Sequence, residues 1–140
     1  MHFGGRAATG AAVVVAALSG AVIIYATRHD PVLSPDSISY LSAAALFRSG
    51  RGLTEFSGQP LTVFGPVFPM LLAAGGGNLQ WARVVGTACI VCATWLMFVL
   101  LRSRVRPWVA VAGAAAFALG PGLVYIGSTV WSENPYIVIS

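Results

Sequence analysis

Three long apolar stretches of this chain contain no charged residue, and this feature constrains its fold more than any other. They cover residues 7–27, 84–101 and 108–131. A helix of about 20 apolar residues is long enough to cross the hydrocarbon core of a bilayer. With 57% hydrophobic residues, 9% charged residues and a mean hydropathy of +0.81, the composition is far from that of a soluble domain. We therefore expect an all-α membrane protein, a multi-span helical bundle forming a single transmembrane domain.

The uncharged stretches divide the chain into six predicted segments. They are span 1 over 7–27, an extracytoplasmic loop over 28–80, span 2 over 81–101, a cytoplasmic turn over 102–107, span 3 over 108–131, and the start of a fourth span over 135–140. Gly120-Pro121-Gly122 predicts a kink or a break toward the far end of span 3. A cleaved signal peptide is the rival interpretation of span 1, but the run is long for one and lacks a clear cleavage site near Arg28.

The positions of the arginines predict the orientation of the spans. All eight positive charges are Arg, and three of them occupy the short turn at 102–107, while Arg6 precedes span 1. Because positive charge concentrated in short loops stays on the cytoplasmic side, we expect a multi-pass protein of the cell membrane with a cytoplasmic N-terminus. The net charge of +4 does not indicate nucleic-acid binding, since the arginines lie at the edges of apolar runs and form no basic amphipathic face.

The long loop over 28–80 has signals of structure of its own. Ser34 followed by Pro35 is typical of a helix start, and Gly50 stands where a helix end favours glycine, so we expect an interfacial helix at about 35–49. A second apolar segment at about 61–74 contains two prolines and is too short to cross a bilayer. We interpret it as a second juxtamembrane helix.

The two cysteines do not indicate a metal or redox site. Cys89 and Cys92 have the C-x-x-C spacing but lie in the middle of span 2. A thiolate site needs polar surroundings, so we expect both side chains to pack as small apolar groups. The sequence predicts no metal site and no cofactor.

Several runs together resemble a known family. They are PDSISYLSAAALFRSGRG, then GPVFPMLLA, then an Arg opening span 2, then LGPGLVYIGSTVWSENPYIV. In order and spacing they resemble the N-terminal part of the GT-C superfamily of membrane glycosyltransferases, which includes protein O-mannosyltransferases and lipid A aminoarabinose transferases. The resemblance implies transfer of a sugar from a polyprenyl-phosphate donor to an extracytoplasmic acceptor. Family members have more spans, so we expect this chain to be a fragment with little or no transferase activity by itself.

The resemblance also implies roles for individual residues. Asp36, followed by Tyr40, matches the family's general base, a role that suits a carboxylate because the attacking hydroxyl must lose its proton. Tyr40 is a candidate for substrate binding beside it. Without the resemblance, Asp36 would be read as a stabilising charge at a helix N-terminus. Relatives often carry a second acid directly after this Asp. Here that position is Ser37, so the match does not extend to metal binding by a carboxylate pair.

Three further residues are weaker candidates. Glu133 matches an acid at the outer end of the third span and would support catalysis, although a solvated acid at a helix end is an equal alternative. Arg83 matches an Arg that would face the donor phosphate, but an Arg extending to the interface is the commoner case. Asp30 is a substrate-binding candidate ranked below Asp36, because the proline after it is typical of a loop.

Two other functions remain open from the residues alone. A non-enzymatic membrane protein or subunit could use its Gly- and Ala-rich faces to pack with a partner. A transporter fragment is less favoured, because transporters carry polar or charged residues within their spans. The apolar spans make the bilayer an expected partner, and the resemblance implies a polyprenyl-phosphate-linked sugar as another.

The orientation can be tested by cysteine labelling. In a Cys89→Ala/Cys92→Ala background, we expect Ser57→Cys to react with a membrane-impermeant maleimide in intact cells, because the positive-inside rule places residues 28–80 outside. The matched variant Ser103→Cys should react only after the membrane is permeabilised. Labelling of Ser103→Cys but not Ser57→Cys in intact cells would reverse the predicted topology.

Overall fold

The computed structural model describes residues 3–62 and 64–139, and this part of the chain is helical without a β-strand. Its helices are α1 (Phe3–Ala26), α2 (Pro35–Arg48), α3 (Val67–Ala74), α4 (Leu79–Arg102), α5 (Pro107–Ala118), α6 (Pro121–Ser128) and α7 (Glu133–Ile139). The prediction of an all-α chain is confirmed. Val63, inside the second predicted loop helix, and Ser140, the last residue of the predicted fourth span, lie outside the described residues.

Two of these helices are long and apolar enough to cross a membrane, as a membrane protein requires. They are α1, over Gly5–Ala26, and α4. Helices α5 and α6 pass the same test only as a pair, and they are bent by 56° at the residues between them. Pro121 explains the bend, because proline has no N–H to continue the α5 ladder and occupies the first position of α6 instead.

The ends of α2 follow from local side-chain chemistry. The Ser34 hydroxyl accepts the Ser37 N–H at 3.2 Å, and the Ser37 hydroxyl accepts the Ser34 N–H at 3.0 Å, which forms a reciprocal capping box. At the other end, Gly50 adopts φ 76°, and the N–H of Arg51 bonds the carbonyl of Leu46 at 3.0 Å. This left-handed glycine closes the helix as a Schellman motif.

Helix α3 is shorter than the segment predicted at about 61–74, because it begins only at Val67. Before it, the N–H of Leu61 bonds the carbonyl of Leu53 at 2.9 Å, which holds that part of the chain extended. Pro66 also disfavours helical geometry at the residue preceding it. Pro69 is tolerated in the first turn of α3, where a backbone N–H has no partner within the helix.

Helix α4 is the centre of the packing and contacts α1, α5, α6 and α7, while α2 pairs with α3. The contact between α4 and α6 requires glycine at both helices. A Cβ atom added at Gly86 would lie 2.9 Å from the carbonyl oxygen of Gly127. Small residues therefore let these two backbones approach closely, as in membrane helix pairs generally.

A three-glycine turn joins α3 to α4 and is filled by Trp81. The indole N–H of Trp81 donates to the carbonyl of Leu71 at 2.9 Å. A Cβ atom at Gly75 would fall 2.0 Å from the indole ring, so the ring occupies the space that a side chain there would need. Gly76 and Gly77 adopt φ 104° and 65°, and Arg48 of α2 donates to the carbonyl of Gly76.

The Gly86–Gly127 contact gives a stability prediction. Gly86→Ala should lower the free energy of unfolding by about 1–3 kcal/mol, because the added methyl group meets a backbone oxygen that cannot rotate away. The midpoint of thermal unfolding of the detergent-solubilised protein, followed by circular dichroism, measures the change. Gly10→Ala is the matched control, since a Cβ atom there meets nothing within 4 Å. An unchanged midpoint for Gly86→Ala would contradict the close approach.

Candidate functional site

The loop after α1 is attached to the α6–α7 connection by its backbone. The N–H of Val32 donates to the carbonyl of Ser128 at 2.8 Å, and the N–H of Val130 donates to the carbonyl of Val32 at 3.3 Å. These bonds form a short parallel bridge between residues almost 100 positions apart. The start of α2 therefore lies beside the start of α7.

A second attachment runs through the cap of α2. The indole N–H of Trp131 donates to the Ser34 hydroxyl at 2.6 Å. Ser37, the position where relatives often have a second acid, is fully buried in the same capping box. Its hydroxyl is thus engaged in helix capping, which is a structural reason for a small polar residue at this position.

Tyr40 makes the third attachment between the two segments. Its hydroxyl lies 2.8 Å from the hydroxyl of Ser132, and only 3% of its surface is exposed. Its ring packs on Phe64 and Phe68, with centroid distances of 4.8 and 5.0 Å. Tyr40 therefore joins α2 and α3 to the residue that directly precedes Glu133.

The structure brings Asp36, Tyr40 and Glu133 together. Asp36 lies in the first turn of α2 and Glu133 at the first residue of α7, and both carboxylates are exposed. Burial raises the pKa of the Tyr40 hydroxyl above its usual value, and the bond to Ser132 opposes this shift. The charges of Glu133 and Asp36 raise this pKa further, so both acids act on the same tyrosine.

Glu133 also borders a cavity of about 500 Å³. The other residues that line it come from α7, from the start of α3 and from the residues just before each helix, and they are Gly65, Val67, Phe68, Ser132, Pro135, Tyr136 and Ile139. The cavity is largely apolar, with the carboxylate and the Ser132 hydroxyl among its few polar groups. Sites for small organic ligands commonly have this composition.

Arg83 and Asp30 are the two remaining candidates. Among the described residues, neither makes a hydrogen bond to Asp36, Tyr40 or Glu133. The Arg83 guanidinium donates to the carbonyl of Ile24 at 2.8 Å, near the C-terminal end of α1. It lines a different cavity of about 700 Å³ together with Trp81 and Thr87, and the buried Thr87 hydroxyl has no hydrogen-bond partner within residues 3–62 and 64–139. Asp30 is exposed in the loop after α1.

The attachments of the site were not foreseen from the sequence. Ser34 was predicted only as a helix cap, and neither Trp131 nor Ser132 was assigned a role. The sequence signal that could have identified them is the polar, aromatic run WSENPY directly after an apolar segment. Among the described residues, no group of three or more His, Cys, Asp or Glu side chains is arranged to hold a metal ion.

Comparison with known proteins identifies no relative of this chain. No protein-family model, curated protein or solved structure matches this chain. The candidate site is defined by the buried Tyr40, its hydroxyl contact with Ser132, and the apolar cavity that Glu133 lines.

The arrangement predicts how the pKa of Tyr40 responds to its neighbours. Glu133→Gln and Asp36→Asn should each lower this pKa toward its ordinary value, because a nearby negative charge disfavours the tyrosinate. The measurement is an ultraviolet titration in which the signal of a Tyr40→Phe variant is subtracted. Glu55→Gln is the matched control and should leave the curve unchanged. If all three variants gave the same titration curve, the charges of Glu133 and Asp36 would not act on Tyr40.

Proposed function

We propose that this chain is the N-terminal part of a GT-C-type membrane glycosyltransferase. It would transfer a sugar from a polyprenyl-phosphate donor to an extracytoplasmic acceptor. In this proposal α1, α4 and the bent pair α5–α6 cross the membrane, and α2 and α3 lie at its outer surface. The resemblance in sequence runs supports the family, and the two long apolar helices support a membrane location.

The observation that carries the proposal is the grouping of Asp36, Tyr40 and Glu133. The resemblance assigned the two acids separately, from motifs almost 100 positions apart. A fold in which they lay far apart would have removed the basis for a shared role. Instead the charges of both acids act on Tyr40, and the hydroxyl of Ser132, next to Glu133, lies 2.8 Å from that of Tyr40.

Asp36 is proposed as the general base. Its carboxylate is exposed, and the first turn of α2 favours a negative charge through the helix dipole. It would accept the proton of the acceptor hydroxyl while that oxygen bonds to the anomeric carbon of the sugar. The bond between this carbon and the phosphate oxygen would then break, and polyprenyl phosphate would leave with the electron pair.

The other residues are proposed to bind and position the substrates. Glu133, at the edge of the 500 Å³ cavity, would accept hydrogen bonds from sugar hydroxyls. Arg83, at the 700 Å³ cavity, would contact the donor phosphate with the guanidinium N–H groups that Ile24 does not use. Tyr40 would hold α2 in place, and Asp30 would contact substrate from the neighbouring loop.

Substitution of the base tests the proposal. In membranes from cells expressing the full open reading frame, Asp36→Asn should reduce transfer of radiolabelled sugar from polyprenyl phosphate at least about 100-fold, because an amide cannot accept the proton. Expression and helix content should not change, since the amide retains the shape of the side chain. The matched control Glu55→Gln should retain transfer.

The competing function predicts a different result. If the chain is a non-enzymatic protein that packs with a partner, the loop acids are dispensable, and Asp36→Asn cells should match wild type in every phenotype of a gene deletion. Full transfer by Asp36→Asn would remove Asp36 as the base. Absence of transfer by the wild-type protein, with a deletion phenotype rescued equally by Asp36→Asn, would favour the packing function.

A further inference from the structure

The end of the molecule opposite to the candidate site carries an unexplained cationic cavity. It has a volume of about 440 Å³ and is lined by Gly5, Arg6, Thr9 and Arg102. Arg6 belongs to the first turns of α1, and Arg102 is the last residue of α4. The cavity therefore lies between the adjacent ends of the two helices that are long enough to cross a membrane.

Arg102 is oriented toward α1 by a hydrogen bond. Its Nη1 atom lies 3.3 Å from the hydroxyl of Thr9, which in turn donates to the carbonyl of Gly5 at 2.9 Å. Both arginines are exposed, so their remaining N–H groups are accessible to a ligand. A guanidinium group offers five N–H donors, and the bond to Thr9 uses only one of those on Arg102.

The acids of the chain lie toward the other end of the molecule. The four acids of the chain are Asp30, Asp36, Glu55 and Glu133. Asp30 follows the C-terminal end of α1, about 30 Å along the helix axis from Arg6. Helices α1 and α4 are antiparallel. Arg102 of α4 bonds Thr9 of α1 at one end, and Arg83 of α4 bonds Ile24 of α1 at the other. None of the described hydrogen bonds or salt bridges gives Arg6 or Arg102 an acidic partner.

We propose that Arg6 and Arg102 bind the phosphate group of an anionic glycerophospholipid. Two guanidinium groups facing one cavity match the oxygen geometry of a phosphate diester. Basic pockets between the ends of membrane helices hold lipid headgroups in this way. The lipid is favoured over free phosphate because the ends of a crossing helix lie at headgroup level, where phospholipid is present at high local concentration.

The binding can be measured without any assay of transfer. The 140-residue chain is purified in detergent and mixed with equal amounts of phosphatidylglycerol and phosphatidylcholine with identical acyl chains, and the bound lipids are counted by native mass spectrometry. The wild-type chain should prefer phosphatidylglycerol. Arg6→Gln/Arg102→Gln should reduce this preference about tenfold, as expected for the loss of charged hydrogen bonds.

A matched double variant controls for net charge. Arg28→Gln/Arg51→Gln removes two exposed arginines at the other end and should keep the wild-type preference. An equal loss in both double variants, or no loss in Arg6→Gln/Arg102→Gln, would overturn the proposal. If circular dichroism shows that Arg6→Gln/Arg102→Gln does not fold, the single variants Arg6→Gln and Arg102→Gln test the proposal instead. Each should reduce the preference for phosphatidylglycerol about threefold.

Excess inorganic phosphate distinguishes the two sources of the ligand. Bound phosphatidylglycerol should persist in its presence, because the acyl chains also contribute to lipid binding. Displacement of the lipid by inorganic phosphate from the wild-type chain would show that the cavity takes free phosphate and would overturn the lipid assignment.

Discussion

The parallel bridge at Val32 is the contact on which the candidate site depends. Ser128 and Val130 flank the end of α6 and are buried, so the Ser128 carbonyl and the Val130 N–H need hydrogen-bond partners. Val32 supplies both partners, because its N–H donates to Ser128 and its carbonyl accepts from Val130. This pairing sets the position of α2 relative to α7. The side-chain bonds of Ser34 and Tyr40 then orient the helices that carry the two carboxylates.

Local chemistry was sufficient to predict much of the fold. The uncharged runs indicated helices, and the pair Ser34-Pro35 indicated where α2 begins. Gly120-Pro121 indicated the interruption between α5 and α6, because a proline within a long helical run removes a hydrogen bond from the ladder. In each case a few neighbouring residues determine the local structure, so the sequence alone is sufficient to predict it.

The parts that escaped prediction depend on distant contacts. Leu61 looked helical from its apolar neighbours, but its N–H is used by Leu53. The partners of Ser132 and Trp131 lie 92 and 97 positions away, and nothing in the local sequence specifies them. The hydrogen bond from Arg83 to the carbonyl of Ile24, 59 positions away at the end of another helix, likewise has no local signal. Of the candidate site, the sequence could therefore indicate the acids but not what holds them together.

The glycine turn filled by Trp81 has a mechanical consequence. Because the indole occupies the place of a Gly75 side chain and is bonded to Leu71, α3 and the first turn of α4 behave as one rigid corner. Phe68, which lines the cavity beside Glu133, sits on one arm of this corner, and Arg83 sits on the other. The corner therefore joins the lining of one cavity to the lining of the other within a single short stretch of chain.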